Sequence, residues 1–161
     1  MIKSQEEIEV TQQACDITSK AFRRCLETVK PDLNEYQVQA EIEYIFKYNG
    51  ANGHAYYPIV AAGKNACCLH YSANNSILKD GDLILFDIGC EYKNYSSDLS
   101  RTIPINGKFT ERQKECYNAV LRVMKEITKL YKVGGTIDQV NQTTYKLMEK
   151  EMIGLGLFTE D

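Results

Sequence analysis

Two aspartates in the stretch LILFDIGCEYKNYSSDLSRT, residues 83–102, are the side chains best placed to do chemistry. Asp87 follows four consecutive apolar residues and precedes Ile88 and Gly89, where a buried strand would carry another Ile or Val. Asp98 sits in a second run, in which Ser96, Asp98, Ser100 and Thr102 point one way and Tyr95, Leu99 and Ile103 the other. If Tyr92 and Lys93 form a two-residue hairpin loop, Glu91 faces Asn94 and Asp87 lies directly opposite Asp98. Carboxylates so paired stand about 4.5–5.5 Å apart at Cβ, and like charges there repel. Either one pKa rises strongly or a cation neutralises the pair, and a divalent metal bridging both carboxylates does the latter.

The plainer alternative is that aspartates beside turns cap backbone amides. It suits Asp82, next to Gly81, and suits Asp87 badly. His70 is one of only two histidines and lies in the apolar run CCLHY, where a lone strand histidine is more often structural than a ligand. His54, in a Gly-rich turn, reads as structural or solvated.

The elements that must position these residues are legible from periodicity and caps. Strands are expected over residues 57–61, 66–71, 83–89 and 95–103, with a turn at 79–82 and a hairpin loop within 91–94. Two helices precede them. Ser4 and Glu7 form a capping box for the first, with Ala14, Ile17, Ala21, Phe22, Cys25, Leu26 and Val29 on its inner face and Pro31 as its stop. Asn34 caps the second, which turns Val38, Ile42, Ile45 and Phe46 inward and ends at Gly50 and Gly53. After the strands, Thr110 and Gln113 open a helix with Cys116, Tyr117, Val120, Leu121, Met124, Ile127 and Leu130 on one face. VGGT breaks it, and a last helix runs from about Ile137 to Met152. The order is α-α-β-β-β-β-α-α, an α+β fold.

At 161 residues the chain fits one domain, and 43% hydrophobic with 25% charged residues marks a soluble globular protein. A net charge of −3 with scattered Lys and Arg gives no footprint for nucleic acid. No run approaches the ~18 apolar residues of a membrane span, and the N-terminus lacks a signal-peptide core, so the reading is no membrane and a cytoplasmic location. Six cysteines without CxxC spacing read as reduced and mostly buried.

The strings GKNACCLHYSANN and KDGDLILFDIGCEYKNYSSDLSRTIPINGKFTERQKECY closely resemble the catalytic domain of the pita-bread metallopeptidases, in their aminopeptidase P and prolidase branch. The resemblance implies the N-terminal half of a pita-bread fold, with two helices, a curved mainly antiparallel sheet, then two helices. It implies a dinuclear-metal aminopeptidase that releases an N-terminal residue preceding proline by means of a metal-bridging hydroxide. By position, Asp87 and Asp98 would be the first two metal ligands. His70 would bind substrate, Tyr56 would line its pocket, and no residue of the chain would be catalytic in its own right. Two divalent ions are implied, Mn²⁺ foremost, with Co²⁺, Fe²⁺ or Zn²⁺ as alternatives, and the partner would be a peptide with proline in second position. A prolidase-type dipeptidase and a non-catalytic pita-bread binding module are the alternatives.

The family's remaining ligands, a histidine and two glutamates, and its second substrate histidine have no counterpart here. No histidine follows His70, and Glu149, Glu151 and Glu160 match none of those motifs. The expectation is therefore the first half of the domain, without the N-terminal accessory domain. Alone it would be inactive, and it would form a homo-oligomer through its exposed half-domain surface.

Overall fold

The structure, a computed structural model, describes residues 2–159, so Glu160 lies outside the described residues. The chain divides into two compact units, Met1–Lys108 and Phe109–Asp161. In the first, α1 (Gln5–Thr28) and α2 (Glu35–Tyr48) precede β1 (Gly53–His54), β2 (Ile59–Ala62), β3 (Leu83–Ile88), β4 (Cys90–Tyr92), β5 (Tyr95–Ser96) and β6 (Leu99–Pro104).

The expected capping box opens α1: Ser4 Oγ accepts from the Glu7 N–H and the Glu7 carboxylate from the Ser4 N–H. The buried stripe of α1 is Ala14, Ile17, Thr18, Ala21 and Cys25. Leu26, expected inside, is 55% exposed. It lies about 120° round the helix from Ala14 at 3.6 residues per turn, so Thr18 takes the inward place. The α2 helix buries Val38, Ile42 and Phe46, and with them Glu35. Both helices contribute to one core with Ile84, Phe86 and Ile88 of β3, where Phe22 meets Phe86 edge-on at 5.9 Å.

The strands form two three-stranded antiparallel sheets, in the orders β1-β4-β5 and β2-β3-β6. Two expectations fail here. Residues 66–71 are not a strand: Gly63–Cys67 is a 3-10 helix, Cys67, Cys68, Leu69 and His70 are exposed, and His70 has φ +54°. That left-handed backbone cannot continue a strand. The hairpin loop is also displaced. Tyr92 pairs with Tyr95, and the turn residues are Lys93 and Asn94, at φ +50° and +67°, as a type I′ turn requires. Asp87 consequently faces Ser100 and not Asp98. Moving the loop by one residue shifts the pairing by two, so both aspartates stay on one face, as diagonal neighbours rather than a facing pair.

The hairpin changes partner at Gly89. Before it, β3 pairs with β2, and after it, β4 pairs with β1. The Ala55 N–H donates to the Gly89 carbonyl at 2.8 Å, closing the seam. Behind the seam Thr18 Oγ1 and Ser97 Oγ lie 2.7 Å apart, and the Cys90 N–H reaches both hydroxyls at 3.0 Å, so a buried polar knot ties α1 to the strands beside Asp98.

In the second unit α3 (Glu111–Thr128) and α4 (Ile137–Gly154) begin at capping boxes, Thr110 with Gln113 and Thr136 with Gln139. The α3 helix buries Ala119, Val123 and Ile127, whereas Val120 and Met124 of the expected face are 56% and 43% exposed. Val123 and Ile127 cluster with Val140. Among the described residues no helix is long and apolar enough to cross a membrane.

All six thiols are free, but the expectation that most are buried fails: Cys25 and Cys90 are buried, while Cys15, Cys67 and Cys68 are exposed. Cys67 and Cys68 lie at the end of the 3-10 helix and just after it, away from the core. Burial pushes the Cys25 thiol up to about 12. With a disulfide reagent at pH 8, Cys67 and Cys68 are expected to react first and Cys25 and Cys90 only in denaturant. Mass-mapped labelling checks this, and rapid native labelling of Cys25 would contradict the packing described.

Candidate metal and substrate site

A cavity of about 380 Å³ opens in the first unit, between Tyr56, Tyr57 and Ile59 on one side, residues 70–72 on another, and Asp87 with Asp98. The four residues singled out by sequence thus meet at one place. Asp87 arrives from β3 and Asp98 from just before β6. The Tyr56 O–H lies 2.7 Å from Asp87 Oδ1 and 3.0 Å from Asp98 Oδ1. Burial, then the bonds and charges of Asp87 and Asp98, push the Tyr56 phenol well above the ordinary tyrosine range, so it stays a proton donor.

One residue without a side chain makes this convergence physically allowed. A Cβ at Gly89 would stand 1.9 Å from the Ser97 carbonyl oxygen and 2.9 Å from Tyr56 Cε1. Only glycine lets the two strands and the Tyr56 ring close on that point. Upstream of Gly89, the exposed His70 borders the cavity from a loop whose backbone is left-handed at His70 and again at Asn74, φ +42°.

The donor set suits a hard divalent cation. Two carboxylates on one face, already sharing a single hydroxyl proton, leave oxygen lone pairs that a cation would satisfy. Among the described residues no group of three or more His, Cys, Asp and Glu side chains could hold a metal ion. Asp87 and Asp98 stand there as a pair of carboxylates, with no third such side chain grouped with them among the described residues.

Other charged candidates lie elsewhere. His54 Nε2 is 3.1 Å from Glu43 Oε1, its ring meets Phe46 edge-on at 5.3 Å, and Nδ1 is buried without a partner. Asp82 lies against Gly63, where an added Cβ would stand 2.7 Å from its Oδ2. Glu151 is held by the Arg122 guanidinium at 2.8 and 2.6 Å within the second unit. Sequence reasoning missed Glu35, which is fully buried beneath the loop carrying His70, and Gly89 as a steric requirement.

The model of metallopeptidase family M24 matches residues 9–160. The chain belongs to metallopeptidase family M24. The chain is 40% identical to the Xaa-Pro aminopeptidase of Escherichia coli (strain K12) and 38% identical to that of Haemophilus influenzae, over all of its own length and 36% and 37% of theirs. It thus spans about a third of the length of these curated relatives. Among solved structures, Pseudomonas aeruginosa aminopeptidase PepP matches with TM-score 0.96 and 40% identity, over 99% of this chain and 36% of that one. Zinc-substituted E. coli aminopeptidase P in complex with product matches with TM-score 0.96 and 41% identity, over the same shares. The four helices and two antiparallel sheets match the N-terminal half of the pita-bread fold.

The Gly89 contacts give a direct check. Gly89→Ala is expected to cost at least about 2 kcal/mol of stability and to move the Tyr56 ring, because the Ser97 carbonyl is backbone and has little room to yield. Denaturant unfolding measures it, and a loss under about 0.5 kcal/mol would be typical of an ordinary surface position.

Proposed function

We propose that residues 1–161 form the N-terminal half of the catalytic domain of a metallo-aminopeptidase that removes an N-terminal residue preceding proline. Asp87 and Asp98 are two of its metal ligands in this reading, and the remaining ligands come from chain beyond these residues. The observation that carries it is the convergence of both carboxylates on the Tyr56 hydroxyl at the wall of a cavity that His70 also borders. The names of the relatives, Xaa-Pro aminopeptidases, support the reaction.

Bound divalent ions, Mn²⁺ foremost, would supply Lewis acidity toward the peptide carbonyl and the attacking water. The chain's own residues do the rest. Asp87 and Asp98 contribute the negative charge that holds the cations. Tyr56, kept protonated, donates toward Asp87 and fixes the direction of that carboxylate. His70, exposed at the cavity edge, is placed to hydrogen-bond a peptide. Ile59 and the rings of Tyr56 and Tyr57 form an apolar wall on which a pyrrolidine ring packs.

Replacing the corresponding segment of the E. coli Xaa-Pro aminopeptidase with residues 1–161 tests the reading. With Mn²⁺ the graft is expected to release the first residue of an Xaa-Pro peptide, and Asp87→Asn or Asp98→Asn to lower kcat at least about 100-fold. The 161-residue chain alone is expected to show no turnover. Undiminished turnover in either aspartate variant would overturn the assignment.

A further inference from the structure

Glu35 opens α2, and its side chain is fully buried, an unusual place for a carboxylate. Four donors converge on it. Oε1 accepts from the Ala62 N–H at 2.7 Å and from Asn65 Nδ2 at 3.0 Å. Oε2 accepts from the Tyr71 O–H at 2.7 Å and from the Ser76 N–H at 2.9 Å. The donors come from the end of β2, the 3-10 helix and both sides of the loop that carries His70. Tyr71 both borders the cavity and bonds to Glu35.

The loop needs such an anchor. His70 and Asn74 are non-glycine residues in the left-handed region, a conformation that persists only where surrounding contacts over-determine it. Asn74 is pinned from the other side. Its amide group donates to the Pro58 carbonyl at 2.9 Å and accepts from the Val60 N–H at 3.1 Å, tying the loop to the opposite wall of the cavity. Tyr71, held by Glu35, and Asn74, held by β2, anchor the backbone that follows His70.

We propose that Glu35 is a positioning residue: through Tyr71 and Ser76 it sets where His70 stands at the cavity, without touching substrate or metal. The inference rests on the reading of the cavity as the substrate site, and it adds a role for a buried side chain of α2. Burial is the leading cause, and the bond to Glu35 the next, that raises the Tyr71 phenol above its ordinary value and keeps it a proton donor.

Glu35→Gln keeps the shape but places an amide N–H where a donor was received, and Tyr71→Phe removes the hydroxyl that donates to Glu35 and accepts from Asn65 Nδ2 while leaving Glu35 and its other three donors in place. Amide hydrogen exchange of the metal-free 161-residue chain is the first readout. In Glu35→Gln, residues 66–75 are expected to exchange at least about tenfold faster, while α1 and β3 change less than about twofold. Tyr71→Phe gives the same pattern at smaller amplitude, and it decides the matter if Glu35→Gln does not fold. The second readout is steady-state kinetics of the grafted enzyme, with KM for an Xaa-Pro peptide expected to rise at least about fivefold and kcat to stay within about threefold. Uniform acceleration of exchange across the chain, or KM unchanged in an active graft, would overturn the inference. A graft that is inactive with Glu35 intact refutes the proposed function, and the exchange pattern then still decides whether Glu35 holds the loop.

Discussion

The hydroxyl of Tyr56 lies within hydrogen-bond distance of both Asp87 and Asp98, and it has one proton to give. Whichever carboxylate receives it, the other faces an oxygen lone pair and a like-charged neighbour across the sheet. A cation between the two carboxylates would satisfy those lone pairs, which is the basis of the ligand role proposed for them. The rest of the first unit can be understood as what brings the three oxygens together. Gly89 admits the Tyr56 ring, the seam from β3 to β4 re-aims the strand, and the Thr18–Ser97–Cys90 knot fixes the backbone beside Asp98.

Around that centre the protein uses buried polar groups as fasteners. The core of α1, α2 and β3 is apolar, yet Thr18, Glu35, Asn74 and Ser97 are buried within or beside it. Each is satisfied by hydrogen bonds to backbone near the cavity. An apolar residue at these positions would fill space without dictating where a loop goes. A directional bond does both, and leaving one end of it unpaired is costly.

The helices were legible because caps are local: Ser4 with Glu7 and Thr110 with Gln113 announce themselves within four residues. The aspartates were legible because a carboxylate after four apolar residues is anomalous. The register was not. It turns on Lys93 and Asn94 both adopting positive φ, and the Lys-Asn pair does not advertise a type I′ turn as Asn-Gly would. Residues 66–71 misled because apolar side chains in an exposed loop beside a cavity look like a strand. Glu35 gave no signal, since its four donors lie 27 to 41 residues away along the chain. The exposure of Val120 and Met124 was hidden for a simpler reason: α3 had enough apolar residues for two faces, and Ala119 and Val123 took the inner one.

In the function proposed above, Asp87 and Asp98 together attract a divalent cation. Paramagnetic broadening by substoichiometric Mn²⁺, followed on the amide resonances of the 161-residue chain, measures that attraction even when it is weak. Selective broadening around Tyr56, Asp87 and Asp98 that disappears in the Asp87→Asn, Asp98→Asn double variant is the predicted result. Broadening that ignores those residues, or that survives the double substitution, would contradict it.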